Sequence, residues 1–217
     1  YLAGISHDLD LVKYGCADDA SLYVNGKVDS CSPFLNFSWR HLDGQWHKVG
    51  THLIGAYNVN NMLAAACIGL FFGVTEDQVC HALSNYIPSN NRSELEVTAH
   101  NKLIVDAYNA NPTSMEAALN NFRQMTVGPK MAILGDMREL GSVSGEEHQK
   151  VVDSLRDAGI DTVWLVGEEF GKTHCDFRKF KNVDEVKAAI KAQMPVNHYI
   201  LIKGSNGIKL FELPELL

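Results

Sequence analysis

Leu103-Ile104-Val105-Asp106-Ala107-Tyr108-Asn109-Ala110-Asn111-Pro112-Thr113-Ser114-Met115 joins a β-prone apolar run to the polar entrance of a helix. The three branched residues predict a short buried strand, and Asp106 falls where that strand ends. Carboxylates at such positions meet nucleotides in open parallel sheets. Pro112 suits the first turn of a helix, where a backbone N–H has no intrahelical partner. That helix is predicted to continue through Met115, Ala118, Leu119 and Phe122. A strand, a polar turn and a helix N-terminus together suit anions and ribose hydroxyls.

Working outward, the same alternation governs the C-terminal part of the chain. Strands are predicted at Leu95 to Ala99, Leu103 to Val105, Lys130 to Leu134, Thr162 to Val166 and Tyr199 to Ile202. Helices are predicted at Pro112 to Gln124, Glu146 to Ala158 and Asp184 to Gln193. This is an α/β pattern of βαβ units, and it predicts a Rossmann-like domain over residues 88–217 with a mainly parallel sheet covered on both faces. Ile87-Pro88-Ser89-Asn90-Asn91 reads as a linker. Before it, Ala20 to Val28, Phe34 to Trp39 and Trp46 to Ile54 have strand character, with Asp43-Gly44 as a hairpin signal. A helix follows from Tyr57 to Phe72, its alanine-rich centre suited to close packing on a sheet. A second is capped by Thr75 with Gln78 and runs to about Tyr86. Residues 1–87 therefore read as the closing portion of another domain.

At 217 residues, 46% hydrophobic and 21% charged, the chain can bury a substantial core. A net charge of -7 supplies no electrostatic attraction to nucleic acid or an anionic membrane. The longest apolar run, Met62 to Val74, is too short to span a bilayer. The five cysteines include no C-x-x-C pair, which points to reduced thiols and a cytoplasmic setting.

Four groups of residues carry possible chemistry. Asn58 and Asn61 share a helix face, so their amides can meet one purine edge; helix capping is the alternative. Arg92, just past the linker, offers fixed donors to phosphate or ribose oxygens, or else forms an ordinary surface ion pair. In the opening turn, Asp106, Tyr108, Asn109 and Asn111 either face a ligand or bond to their own backbone. The loops Gly135-Asp136-Met137-Arg138-Glu139-Leu140-Gly141 and Lys203-Gly204-Ser205-Asn206-Gly207 end later strands, on the same edge if the sheet is parallel. Lys203 and Ser205 suit a carboxylate and Asp136 or Glu139 an amine; a loop fixed by internal salt bridges is the other reading. His148 has no neighbouring pattern of metal ligands or nucleophile and reads as structural.

Asp-x-Tyr-Asn-Ala-Asn-Pro at residues 106–112, Leu-Gly-Asp-Met-x-Glu-Leu-Gly at 134–141 and Leu-Ile-Lys-Gly-Ser at 201–205 resemble the Mur ligases of peptidoglycan synthesis. Within that family they resemble the branch that adds D-alanyl-D-alanine to UDP-N-acetylmuramoyl-tripeptide, since sister ligases carry different residues at the first two places. The resemblance covers nearly the whole chain and is weakest over the first fifty or so residues. It implies that residues 1–87 belong to the central ATPase domain and residues 88–217 to the C-terminal domain. It also implies adenine contact for Asn58 and Asn61, nucleotide contact for Arg92 and ribose contact for Asp106. Tyr108, Asn109 and Asn111 would line the substrate cleft, and Lys203 and Ser205 would contact the incoming dipeptide; contact by Asp136 is expected from its carboxylate chemistry alone, beside the salt-bridged-loop reading.

The resemblance implies ATP and Mg2+, with D-alanyl-D-alanine and UDP-N-acetylmuramoyl-tripeptide as substrates, in a monomeric enzyme. No glycine-rich G-x-x-G-K-[ST] phosphate loop occurs in the sequence, and no Glu and His can be matched to the family's magnesium ligands. With Tyr1 in place of Met, the chain is expected to be the C-terminal half of a longer ligase and inactive alone. Folylpolyglutamate synthetase and the other Mur ligases share the architecture without this motif combination. A non-catalytic nucleotide-binding or interaction module of the same fold is the alternative from another class.

Overall fold

The computed structural model describes residues 11–17, 19–88, 94–156 and 158–217, and the chain divides into two compact units, Tyr1–Tyr86 and Ile87–Leu217. In the first unit, β1 (Tyr14–Gly15) pairs in parallel with β2 (Val24–Cys31), and β2, β3 (Phe34–His41) and β4 (His47–Ile54) form an antiparallel meander. Val24, Leu35, Phe37, Trp39, Val49 and Leu53 make the inner face of this sheet. They pack against Met62, Leu63, Ala66 and Cys67 of α1 (Val59–Phe71) and against Val79 and Leu83 of α2 (Glu76–Asn85). The alanine-rich helix approaches β2 so closely that a Cβ at Gly26 would stand 2.5 Å from a Leu63 methyl. The predicted Thr75–Gln78 capping box is formed in both directions. The β3–β4 turn is longer than a two-residue Asp-Gly hairpin, and Leu42, with φ 49°, takes the left-handed conformation.

The second unit holds a six-stranded sheet: β5 (Glu94–Val97), β6 (Lys102–Asp106), β7 (Lys130–Gly135), β8 (Thr162–Val166), β9 (Arg178–Phe180) and β10 (Tyr199–Lys203). Its spatial order is β5-β6-β10-β7-β8-β9, with only β5 antiparallel to its neighbour. The mainly parallel α/β sheet read from the sequence is the observed one. β1, β9 and the short helix α5 (Glu168–Gly171) were not foreseen; each is four residues or fewer, too short for a periodic signal.

Topology places the helices. α3 (Pro112–Gln124) joins β6 to β7 and α4 (Ser144–Leu155) joins β7 to β8, both moving toward the β9 edge. Right-handed crossovers therefore set α3 and α4 on one face, where they touch one another. α6 (Val183–Ala192) runs back from β9 to β10, so the same rule puts it on the opposite face. There Val186 and Ile190 share one core with Leu103, Val105, Met131, Ile133, Trp164 and Ile202, and Leu210, Leu213 and Leu217 complete it. The chain thus leaves β6 and β7 toward one face and β10, lying between them, toward the other. Such a switch point opens a crevice at the C-terminal ends of the strands.

Candidate functional site

Three loops meet at that switch point. β6 and β10 pair in register with Lys203 opposite Asp106, which aims both side chains off the same edge. The Lys203 ammonium, 1% exposed, lies 2.6 Å from Asp106 Oδ2 and donates also to the Asn109 carbonyl at 3.3 Å. Asp106 is 15% exposed, and among the described residues its Oδ1 accepts no hydrogen bond. Buried Ser205 ties the loops together. Its hydroxyl accepts from the Arg138 N–H at 2.9 Å and faces the Ala110 carbonyl at 3.4 Å, while its own N–H donates to the Asp136 carbonyl at 3.1 Å.

The 136–141 loop is fixed from beneath. Asp136 is buried, and its two carboxylate oxygens accept from the N–H groups of Glu169 and Phe170 at 3.0 and 2.9 Å, capping α5. Gly167 permits this cap, since φ is 124° there and a Cβ would stand 2.2 Å from Asp136 Oδ2. His148 is wholly buried; its Nδ1 donates to the Ser144 carbonyl and its Nε2 accepts from the Met137 N–H at 3.0 Å. Its structural role is therefore to hold this loop.

Asp136, Lys203 and Ser205 are all bonded to protein partners; Lys203 and Ser205 are enclosed by them, whereas Asp136 also lines a cavity. In the 106–111 turn, Asn111 is the cap of α3: its Oδ1 accepts from the Ser114 N–H at 2.8 Å and the Ser114 hydroxyl accepts in return. Asn109 Oδ1 accepts from the Ala110 N–H at 2.8 Å, so the acceptors of both asparagines serve the backbone. Tyr108 is exposed. Arg92 lies outside the described residues.

In the first unit, Asn58 stands at the N-cap of α1 without capping it. Its amide donates to the Ile54 carbonyl at 2.9 Å and its Oδ1 accepts from Asn61 at 3.1 Å. Buried Asn58 thus orients exposed Asn61.

A cavity of about 500 Å³ in the second unit was not foreseen from the sequence. Arg138, Lys181 and Lys209 line it beside Glu168, Glu169 and Asp184, so both signs of charge face one space. Arg138 is steadied by the Gly207 carbonyl at 3.2 Å. Hydrogen bonds from Lys172 and then Ser144 hold the Glu169 carboxyl below its usual range. The available signal was positional: Gly167-Glu168-Glu169 and Lys181-Asn182 follow β8 and β9 on the edge that carries Asp106.

Residues 91–206 match the family described as "Mur ligase, glutamate ligase domain". The chain is 33% identical over 172 residues to the UDP-N-acetylmuramoyl-tripeptide--D-alanyl-D-alanine ligase of Bacillus subtilis, a match covering 74% of this chain and 38% of that protein. It is 33% identical over 175 residues to the ligase of the same name from Escherichia coli, covering 76% and 38%. A crystal structure of MurF from Acinetobacter baumannii aligns with a TM-score of 0.75 at 27% identity, over 88% of this chain and 44% of that one. The chain thus spans under two fifths of the length of these two curated relatives. With the motif-bearing loops gathered at one sheet edge and the family match spanning more than half the chain, this protein belongs to the Mur ligase family.

Proposed function

We propose that this chain is part of an ATP-dependent ligase that joins D-alanyl-D-alanine to UDP-N-acetylmuramoyl-tripeptide in the cytoplasm. The observation that carries this reading is the edge of the second unit. A mostly buried carboxylate whose Oδ1 accepts no hydrogen bond among the described residues suits ribose hydroxyls, and a mixed-charge cavity lies on the same edge. A dipeptide presents one carboxylate and one amine, and Arg138, Lys181 and Lys209 suit the first as Glu168 and Asp184 suit the second. The volume is in the range of small-molecule sites. Similarity to ligases named for this reaction supports the same reading.

The chemistry proposed for the whole enzyme begins with transfer of the ATP γ-phosphoryl group to the terminal carboxylate of the tripeptide. That replaces an oxide leaving group with phosphate. The dipeptide amine then attacks the acyl carbon, the amide forms, and phosphate departs. On this chain the proposed tasks are binding and orientation. Asp106 accepts from ribose, the Asn58–Asn61 pair presents an amide to adenine, and the cavity holds the dipeptide with its amine free to attack. Tyr108 is proposed to line the substrate cleft. Magnesium would screen phosphate charge, but no group of three His, Cys, Asp or Glu able to hold a metal occurs among the described residues, so we assign it no ligand on this chain.

The test is phosphate release by the complete protein, given ATP, UDP-N-acetylmuramoyl-tripeptide and a panel of amines. Release with D-alanyl-D-alanine alone is the expected result. Release with another amine overturns the substrate assignment, and none with any amine favours a non-catalytic module.

A further inference from the structure

We infer that Lys203 is a positioning residue for Asp106, acting on the nucleotide side of the site without itself touching the dipeptide. The inference rests on the proposed ribose role of Asp106. Lys203 is 1% exposed and its ammonium is spent on two partners, Asp106 Oδ2 at 2.6 Å and the Asn109 carbonyl at 3.3 Å. Both partners belong to the 106–111 turn, and neither belongs to the cavity lined by Arg138 and Lys209. A buried ammonium in this position fixes the carboxylate rotamer by occupying Oδ2, which leaves Oδ1 as the oxygen without a hydrogen bond among the described residues. Its bond to the Asn109 carbonyl holds the turn that carries Tyr108. Register makes the arrangement specific, since Lys203 and Asp106 are direct partners on neighbouring parallel strands. A one-residue slip would send one of the two side chains to the other face.

Ser205 extends this order to the loop that carries Arg138. Two residues beyond Lys203, its hydroxyl holds the Arg138 N–H and meets the Ala110 carbonyl, so one short segment sets both loops. Lys203 orients the carboxylate and Ser205 keeps its turn in place relative to Arg138.

The experiment compares Lys203→Met, Asp106→Asn and the double variant in the complete protein, reading ADP affinity by calorimetry and the KM for D-alanyl-D-alanine by phosphate release. Losing one charge-assisted hydrogen bond at the carboxylate predicts ADP binding weaker by roughly tenfold or more in Lys203→Met. The dipeptide KM is expected to change less than about twofold, because uniform binding of that substrate is untouched. The double variant removes both charges together, leaves neither ion stranded, and is expected to bind ADP no more weakly than Asp106→Asn alone. A selective rise in dipeptide KM with ADP affinity intact overturns the inference, as do additive losses in the double variant. Should the wild-type protein bind ADP but ignore D-alanyl-D-alanine, the proposed substrate fails while the ADP comparison still decides the role of Lys203. Should it bind no ADP, the ribose role and this inference fall together.

Discussion

Lys203 and Asp106 show how strongly one residue's meaning depends on its partner. Alone, a lysine after an apolar strand reads as a cation awaiting an anionic ligand. Here it is buried against a carboxylate 97 positions away in the chain. That pairing changes what a mutation at Asp106 does. Asp106→Ala would leave an ammonium buried without a counter-charge, and such an uncompensated ion costs about 3–5 kcal/mol. We therefore predict a clear loss of stability in addition to weaker nucleotide binding, measured as a lower urea midpoint. An unchanged midpoint would mean that the ammonium finds water in the variant. Asp136 makes a similar point. Its carboxylate was open to an amine-binding reading, yet both oxygens cap α5, and that use is visible only once β7 and β8 lie side by side.

At the level of elements, local chemistry decided most boundaries. The Asn111 cap, Pro112 and the apolar spacing behind them start α3 where predicted, and its last residue, Gln124, is also the predicted one. The C-terminal segment is held differently. The 3-10 turns Leu210–Glu212 and Pro214–Leu216 have no helical period to read, and they are anchored by Leu210, Leu213 and Leu217 and by an ion pair from Lys187 on α6 to Glu212. The hydrogen bond from Lys187 holds the Glu212 carboxyl below its ordinary value of 4.5, and the same bond raises the Lys187 ammonium above 10.5. A carboxyl lowered by folding contributes stability that is present above its ordinary value and lost as pH falls through its folded value. The raised ammonium contributes below its ordinary value and loses that contribution as pH rises through its folded value. Lys187→Met is thus expected to make the acid limb of the Tm-versus-pH curve shallower. An acid limb identical to wild type would show that the exposed pair is screened to nothing.

Across the whole molecule, the chain divides into two compact units. The second carries a six-stranded sheet with buried residues on both faces, Leu103 and Val105 on one and Ile104, Ala132 and Leu134 on the other. Residues 87–217 expressed alone are predicted to unfold in one cooperative transition by circular dichroism, as a core of this size can support. A gradual, non-cooperative melt would show that the sheet depends on the rest of the chain. The sequence by itself determined the α/β class, the mainly parallel sheet, most helices and strands, and the polar turn at Asp106. Each of these is written in short-range terms, a period of two or 3.6 residues and a cap beside it, that a few neighbouring residues carry. Only the tertiary structure decided that Lys203 serves Asp106, that Asp136 caps α5, and that Arg138, Lys181 and Lys209 share a cavity. Those outcomes follow from strand order, β10 inserted between β6 and β7, which brings distant residues into register through the packing of both sheet faces and has no local signature.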